Sequence, residues 1–326
     1  MNDTLINKRL VLMNLKKASE YVSGEELSNQ LKISRTAIWK YIQELRKDGY
    51  IINSSTKKGY QLISSPDIVS TEELSAYLNT NSFGRNYNYY ESIDSTNTTA
   101  KFLAEQSADE GAVILAEEQL NGKGRLGRQW ISPHGLGLYF SIIVRPNIPV
   151  TQASQITLVI AAVIAKVLNS KYNIPAKIKW PNDILINEKK ICGILVEMSS
   201  DIDNINYAVI GIGINVNNTE DSFSGITAKY LPTSLLLETS LRANRVMLLA
   251  EILNKLELAY DEFIKVGFQG FKSMWETYAY SLGKEISVIT SMDNFQGILS
   301  GIDNSGALLL DIDGEKKLIY SGEIVL

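Results

Sequence analysis

The hydrophobic pattern of this chain changes twice between its ends, and no other feature limits the possible folds as much. Apolar residues recur at helical spacing in the first part, strands mix with long helices in the middle, and residues 281–326 carry only short alternating strands. Helices bury an apolar stripe and strands bury one or both faces of a sheet, so each of the three patterns predicts a separate packed core. With 326 residues the chain can form several cores. We therefore predict three domains, at residues 1–65, 66–280 and 281–326.

The first of these has the pattern of a winged helix-turn-helix. Three segments have helical periodicity: Ile6–Lys17, Gly24–Leu31 and Ser34–Lys47. In the third, Ile38, Ile42 and Leu45 form one apolar stripe, and Ser34 is placed as the N-cap. The run I-I-N-S-S-T-K-K-G-Y-Q-L follows, with apolar ends and a polar middle, as expected for a hairpin wing. A three-helix protein-interaction module is the alternative.

Charge is distributed unevenly along the chain. Residues 1–65 hold eight Lys and three Arg against two Asp and four Glu, a net charge of +5, whereas the whole chain carries -4. Such asymmetry suggests that this domain meets a polyanion, although a solvated basic face is the simpler explanation. Together with the helix-turn-helix pattern it favours DNA binding. The candidate DNA-binding residues are Ser34, Arg35, Thr36, Trp39, Lys40, Lys57 and Lys58.

Several classes of protein are excluded or disfavoured by composition. The single cysteine, Cys192, cannot form an intramolecular disulfide and suits a reducing compartment. The single histidine, His134, leaves little room for a Ser-His-Asp triad or a Cys/His zinc site, so we expect no resident metal. No signal-peptide pattern opens the sequence, and the apolar run Ile156–Ala165 is about half of what a membrane helix needs. We expect a cytoplasmic protein without a membrane partner.

A linker is expected at Ile63–Ser70, which contains turn residues and a proline, and Thr71 opens a new segment. Beyond it, clustered strands do not alternate regularly with the helical segments Ser154–Tyr172 and Arg245–Val266, which favours an α+β mixed sheet. From Gly283 onward, alternating strands separated by D-N, D-N-S-G and D-G turns predict a small β-barrel.

The strongest local signal is Gln119–Trp130, Q-L-N-G-K-G-R-L-G-R-Q-W, where three glycines alternate with Lys123, Arg125 and Arg128. Glycine lets backbone N–H groups approach an anion, and the cations neutralise its charge, so the segment predicts a phosphate-binding loop. It also contains G-x-G-x-x-G, but the dinucleotide fingerprint requires a helix at the end of the loop, where this chain has I-S-P-H-G. A plain flexible surface loop is the other alternative.

The second signal is K-W-P-N-D-I-L-I-N-E-K-K-I-C-G-I-L-V-E, residues 179–197. Pro181 and Asn182 predict a turn between strands, from which Asp183 emerges near the sheet. Lys190 stands at the entry of an apolar strand, where an ammonium needs an anionic partner such as a carboxylate or a phosphate. Without further information, an ordinary lysine at a strand end is the better interpretation.

The third signal is D-S-T-N at residues 94–97. Ser95, Thr96 and Asn97 offer short donors and acceptors suited to an uncharged polar ring. The same residues are also typical of a plain helix N-cap, which alone would be preferred.

These motifs occur in the order D-S-T-N, Q-L-N-G-K-G-R-L-G-R-Q-W-I-S-P-H-G-L-G-L-Y-F-S, K-W-P-N-D-I and K-K-I-C-G-I-L-V-E. The whole chain thereby resembles the bifunctional biotin protein ligases that also repress the biotin operon, whose members without the repressor function lack the N-terminal domain. The resemblance implies a winged helix-turn-helix, a central mixed-sheet ligase domain similar to class II synthetases, and a C-terminal SH3-like β-barrel.

The resemblance also implies roles for individual residues. Lys190, Arg125 and Asp183 would be catalytic. Residues implied to bind biotin are Ser95, Thr96, Asn97, Gln119, Lys123, Gly124, Arg125, Lys190 and Gly193. Residues implied for the ATP and adenylate loop are Gly122, Gly127, Arg128, Trp130 and Asn182. Lys123 departs from the pattern, because many relatives have arginine there, and this could alter how the loop holds phosphate.

The implied activity is ATP-dependent formation of biotinyl-5'-AMP, with Mg²⁺ accompanying ATP, and transfer of biotin to a lysine of a carboxylase's biotin carboxyl carrier domain. Biotinyl-5'-AMP would also be the corepressor of a homodimer on operator DNA. Three alternatives stay open: a repressor that only senses a ligand, a lipoate-type acyl ligase, and a synthetase-like scaffold without ATP turnover.

Overall fold

The computed structural model describes residues 3–202, 204–225 and 230–325. It divides into two compact units, Met1–Ala76 and Tyr77–Leu326. The first contains the predicted DNA-binding domain, and the second contains the central sheet and the C-terminal strands.

The first unit is a winged helix-turn-helix. Its elements are α1 (Asp3–Lys17), α2 (Gly24–Leu31), α3 (Arg35–Lys47), β1 (Ile51–Ser55) and β2 (Gly59–Ser64). The Ser34 hydroxyl accepts the backbone N–H of Ala37 at 3.1 Å and so caps α3. The predicted stripe of Ile38, Ile42 and Leu45 is fully buried. The strands β1 and β2 pair antiparallel as the wing.

A short helix, α4 (Thr71–Leu74), belongs to the same unit. The Ser70 hydroxyl caps it by accepting the backbone N–H of Glu73. The side chain of Glu73 forms an ion pair with Lys16 of α1, and both side chains are less than one-tenth exposed. The compact unit therefore reaches past the predicted boundary at residue 65, and the domain boundaries themselves stay a prediction.

The second unit is built on a seven-stranded mixed sheet in the order β3-β4-β5-β9-β8-β7-β6. The strands are β3 (Tyr87–Ile93), β4 (Val113–Gln119), β5 (Gly137–Val144), β6 (Lys177–Lys179), β7 (Asp183–Ile186), β8 (Lys189–Ser200) and β9 (Ile205–Asn215). Only β3 and β4 run parallel. All eight residues of β5 are buried, so both faces of the sheet are covered there.

Helices of this unit are α5 (Thr96–Glu105), α6 (Ala153–Tyr172), α7 (Leu235–Thr239), α8 (Arg245–Val266) and α9 (Lys272–Tyr278). Helix α5 packs on β4, β5 and β9, while α6 packs on β8 and on α8. Residues 150–172, which include α6, are long and apolar enough for a membrane helix by composition, but 67% of their most apolar window is buried inside the protein. This is the pattern of a core helix, as predicted for Ile156–Ala165.

The C-terminal strands form a separate antiparallel sheet in the order β13-β12-β11-β10-β14. They are β10 (Glu285–Ile289), β11 (Asn294–Ile302), β12 (Leu308–Ile312), β13 (Glu315–Ile319) and β14 (Glu323–Val325). Asp313 and Gly314 join β12 to β13 with φ values of 52° and 89°, the conformation that a two-residue hairpin turn requires. The predicted fold class is confirmed: a helix-turn-helix, a mixed sheet with helices, and a C-terminal antiparallel β-domain.

Candidate functional site

A cleft of about 1100 Å³ in the second unit collects the motifs that the sequence singled out. It is lined by the start of α5, the end of β4, the glycine-rich loop, the turn before β7, and the β8–β9 pair. Every predicted catalytic, biotin and adenylate residue lines it except Gly122 and Gly127, which line an adjoining cavity of about 840 Å³. Segments that are distant in sequence thus converge on one site, while their individual roles stay predictions.

One end of the cleft is polar and uncharged. The Gln119 side-chain oxygen accepts the Thr96 backbone N–H at 2.9 Å and lies 3.1 Å from the Thr96 hydroxyl. The Gln119 side-chain nitrogen donates to the Ser132 hydroxyl at 2.9 Å. Ser95 occupies the N-cap position of α5 but makes no side-chain cap hydrogen bond, although it is buried. The plain N-cap interpretation of D-S-T-N is therefore wrong for the Ser95 side chain.

The sheet floor at this end includes residues that the sequence did not point to. Ser141 of β5 is fully buried, and its hydroxyl lies 2.8 Å from the Thr96 hydroxyl and 2.6 Å from the Asn97 side-chain oxygen. On the other side, the Asn97 amide nitrogen donates to Glu197 at 2.8 Å. Ser141 closes the long quoted motif that begins at Gln119, but the motif does not reveal this contact, because it depends on the β5–β9 register.

The opposite end of the cleft carries the cations of the glycine-rich loop. Arg125 donates to the side-chain oxygen of Asn182 at 2.9 Å. Lys123 of the same loop instead reaches back to the start of α5, where it donates to the Thr98 hydroxyl at 2.9 Å. Leu126, at the tip, has a φ of 57° and is 80% exposed. A bulky residue in the left-handed region indicates local strain, which agrees with a loop that serves a function.

Trp130 follows this loop and lies flat on the sheet. Gly193 of β8 and Gly213 of β9 are paired in register, and a Cβ added at either would come within 3.0 Å of the indole ring. The sheet can hold the ring this closely only because both positions are glycine. The Lys190 ammonium lies 5.4 Å from the ring centroid, within the range of a cation–π contact.

The anionic partner that Lys190 was expected to need is Asp183, at 2.8 Å. The two residues lie on the neighbouring strands β7 and β8, and both side chains are more than two-thirds buried. A carboxylate and an ammonium are thereby held beside the cation-rich end of the cleft. An ordinary lysine at a strand end could form the same pair, so the functional role of Lys190 stays a prediction.

A second ion pair, between Arg128 and Glu323, joins the loop to the last strand. Arg128 makes a bidentate contact with Glu323 of β14, at 2.8 and 3.2 Å, and this bond is the main reason why the pKa of Arg128 is raised. Lys179, only 2% exposed, lies 3.8 Å from the same carboxylate and 4.1 Å from the centre of the Tyr230 ring. The sequence analysis did not predict three residues that line this part of the cleft: Lys179, Tyr230 and Glu323. Two of them had a signal, because Lys179 opens the K-W-P-N-D motif and Glu323 lies in S-G-E-I.

The predicted DNA-binding residues of the first unit are all exposed. Trp39 is 56% exposed on α3, so its ring is accessible to a partner. Arg35 and Lys40 lie on the same helix, and Lys57 and Lys58 lie at the tip of the wing. This is the arrangement with which a winged helix meets the phosphates and base edges of DNA.

In chemical terms, the cleft combines a neutral hydrogen-bonding end with an end rich in cations. The first suits a ring with both donors and acceptors, and the second suits phosphate groups. Lys190 and Arg125 both line this cleft, where their charges can stabilise negative charge. Such a site can bring a carboxylate and a nucleotide phosphate together.

Comparisons with known proteins agree with this geometry. The biotin/lipoate A/B protein ligase family model matches residues 89–215, the model of the biotin protein ligase C-terminal domain matches residues 281–326, and a helix-turn-helix domain model matches residues 7–61.

The bifunctional ligase/repressor BirA of Bacillus spizizenii is 39% identical over the full length of both chains. BirA of Escherichia coli is 33% identical over 97% of this chain and 96% of its own. Among solved structures, biotin protein ligase from Aquifex aeolicus in complex with biotin and ATP is 31% identical, covers 74% of this chain and 98% of its own, and has a TM-score of 0.63.

Proposed function

This chain belongs to the biotin protein ligase family, and from that membership we propose how its cleft activates biotin with ATP and how its first unit represses transcription. The chain is a biotin-[acetyl-CoA-carboxylase] ligase with biotin and ATP as substrates, and it is also a DNA-binding repressor. The observation that carries the residue assignments is the convergence of four distant motifs on one cleft, neutral at one end and cationic at the other.

In the first step, a carboxylate oxygen of biotin attacks the α-phosphorus of ATP, the bond between the α-phosphorus and the bridging oxygen breaks, and pyrophosphate leaves. We assign the ureido ring to the neutral end, where Ser95, Thr96, Asn97 and Gln119 supply donors and acceptors. The carboxylate then lies toward Lys190. The glycine-rich loop, with Lys123, Gly124 and Arg125, covers biotin and the adenylate.

Negative charge grows on the phosphoryl oxygens in this step. The Lys190 ammonium and the Arg125 guanidinium stabilise it, and one such contact is worth roughly 3 kcal/mol in a water-poor site. Asp183 holds Lys190 in place through its 2.8 Å contact. Trp130 covers the adenine, and Gly122, Gly127, Arg128 and Asn182 shape the nucleotide end; Gly193 leaves room beneath the ring.

Mg²⁺ accompanies ATP in this proposal as a counterion of its phosphates. The described residues contain no group of three or more His, Cys, Asp or Glu that could hold a metal ion. The triphosphate therefore supplies the main ligands, as is usual for Mg²⁺ on nucleotides.

In the second step, the amine of an acceptor lysine attacks the acyl carbon of biotinyl-5'-AMP, and the bond between this carbon and the phosphate oxygen breaks to release AMP. The acceptor is the biotin carboxyl carrier domain of a carboxylase. Because both chemical steps use groups of the substrates as nucleophiles, the protein's work is positioning and charge stabilisation. We place this chemistry in the cytoplasm.

For the repressor, we propose that biotinyl-5'-AMP orders the loop around Lys123–Arg128 and so favours a homodimer. Two α3 helices would then meet the half-sites of a two-fold symmetric operator. Ser34, Arg35, Thr36, Trp39 and Lys40 would contact DNA from this helix, with Lys57 and Lys58 on the backbone from the wing. Dimerisation that does not respond to the adenylate would refute this switch.

The test of the ligase is pyrophosphate release from ATP with and without biotin. We expect Lys190→Ala and Arg125→Ala each to lower the biotin-dependent rate by roughly 100-fold or more. Lys189→Ala is the matched control, since Lys189 is the exposed neighbour of Lys190, and its rate should stay within about two-fold of wild type. Absence of biotin-dependent release from the unaltered chain would leave only a ligand-sensing repressor.

A further inference from the structure

We infer that Glu197 acts as a positioning residue that fixes which atom of the Asn97 amide faces the ureido ring of biotin. The inference rests on the proposed biotin site and adds a residue outside it. Glu197 lies on β8 and lines the adjoining cavity, not the cleft itself. It would act through Asn97, which does line the cleft.

The sheet register brings these side chains together on one face. Leu195 of β8 and Ser141 of β5 both lie opposite Gly211 of β9, and Glu197 is two residues further along β8. Asn97, in the first turn of α5, is 4% exposed and rests on this face. A Cβ added at Gly211 would lie 2.1 Å from the Asn97 side-chain oxygen, so only glycine admits the amide this closely.

The partners of Asn97 determine the orientation of its amide. Its Nδ2 lies 2.8 Å from the Glu197 carboxylate and 3.4 Å from the Leu195 carbonyl oxygen, and both groups can only accept hydrogen bonds. The nitrogen must therefore point to them. The amide oxygen then faces the Ser141 hydroxyl at 2.6 Å, which donates to it.

This orientation matters for the ligand. An amide oxygen accepts two hydrogen bonds, and the Ser141 hydroxyl uses one of them. The second is left for a donor in the cleft, and the ureido ring of biotin carries two N–H donors. With the amide reversed, a nitrogen would meet those N–H groups, and buried donors would face each other without an acceptor.

Glu197 can enforce the orientation only as a carboxylate, because its protonated form could donate. Lys101 secures this charge by an ion pair with Glu197, and it lies four residues after Asn97 on the same face of α5. Burial raises the pKa of Glu197, but hydrogen bonds from Lys101 and Asn97 outweigh it and leave that pKa below its usual value.

A two-residue exchange tests the inference. In Glu197→Gln the new amide nitrogen favours reversal of Asn97, and we expect biotin affinity to fall by about 10- to 100-fold. In Asn97→Asp two carboxylates meet, and affinity should also fall. The double variant restores one amide and one carboxylate in exchanged positions, so an oxygen again faces the cleft. We expect it to bind biotin at least about ten times more tightly than the weaker single variant.

The measurements are the dissociation constant of biotin by calorimetry, together with the KM for ATP and the kcat of pyrophosphate release. For Glu197→Gln, the ATP KM and the kcat at saturating biotin should stay within about threefold of wild type. Glu105→Gln is the matched control: it removes a carboxylate one turn beyond Lys101 on α5, and this carboxylate contacts Tyr207, not Asn97.

The outcomes separate the inference from the proposed function. A wild-type chain that does not bind biotin would refute both. A wild-type chain that binds, with Glu197→Gln binding equally well, would refute the role of Glu197 alone. Two other results would also overturn the inference and leave Glu197 as a structural residue. One is an equal loss in the dissociation constant of biotin and the KM for ATP. The other is a double variant that binds biotin no better than the weaker single variant.

Discussion

The ion pair between Arg245 and Glu117 gives the sharpest stability prediction for the second unit. Arg245, the first residue of α8, is 1% exposed, and Glu117 of β4 is 2% exposed. Their Nη1 and Oε2 atoms are 2.5 Å apart, and the same Nη1 lies 3.2 Å from the backbone oxygen of Gly137. Glu117 stands two residues before Gln119, so the pair also supports the strand that ends in the neutral part of the cleft.

The perturbation is Arg245→Met, which keeps a long apolar chain but removes the charge. Breaking a buried ion pair from one side costs about 3–5 kcal/mol, because the Glu117 carboxylate stays buried after it has lost the guanidinium. For a unit of this size, 1 kcal/mol corresponds to about 2–4 °C in Tm. We therefore expect the Tm of the second unit to fall by about 6–20 °C. Adding Glu117→Gln should recover part of this loss, since the buried carboxylate charge is then removed as well.

The assay is calorimetric unfolding, supported by urea titration followed by tryptophan fluorescence, to which Trp130, Trp180 and Trp275 of this unit contribute. Arg242→Met is the matched control, because Arg242 is exposed and only three residues away; it should cost less than about 0.5 kcal/mol. If Arg245→Met were no more destabilising than Arg242→Met, the buried pair would not hold the unit together. A double variant less stable than Arg245→Met would contradict the explanation by an uncompensated charge.

Three further predictions concern other parts of the molecule. Gly213→Ala places a Cβ 2.4 Å from the indole of Trp130 and should cost about 1–3 kcal/mol by overpacking while changing Trp130 fluorescence; an unchanged spectrum would contradict it. Burial raises the pKa of Glu257, but backbone N–H donors of residues 81–83 bring it below its usual value. The stability advantage over Glu257→Gln should therefore be full at pH 7 and shrink below about pH 4, and a constant difference in urea unfolding would count against this. Lys57→Ala should weaken DNA binding and reduce the slope of log K against log salt by about 0.9 if it loses one phosphate contact, whereas an unchanged slope would remove Lys57 from the interface.

The sequence was sufficient for features that depend on local pattern. The apolar stripe of Ile38, Ile42 and Leu45 predicted α3 within one residue of its observed start, because helical periodicity and the Ser34 cap act locally. The D-G turn at Asp313 was likewise predictable, since its positive φ values demand those residue types. The glycine-rich loop was also singled out from local information, its glycines and its cations, and its binding of anions stays a prediction.

The site could be predicted only as far as each motif carries its own chemistry. Ser141 and Glu197 each close one of the quoted motifs, but neither was given a role, because their contacts with Asn97 arise from the register of β5, β9 and β8. Glu323 was also missed, since it reaches Arg128 from a strand nearly two hundred residues later. The sequence did not predict that the short helix α4 belongs to the first unit. The ion pair that holds this helix joins Glu73 to Lys16, which is distant in sequence.

The register of the sheet also divides the cleft into two ends that can be altered separately. Gly211 and Gly213 stand two residues apart on β9 and so face the same side, where they admit Asn97 and Trp130 respectively. A side chain at Gly211 would displace the proposed partner of the ureido ring, and one at Gly213 would displace the proposed cover of the adenine. A slip of one residue in the pairing of β8 with β9 would turn both glycines to the other face, so this register keeps both close contacts on one side of the sheet. In the proposed reaction, strand geometry would set the distance over which the carboxylate and the nucleotide meet, and Lys190 of β8 and Arg125 of the loop would supply the charge.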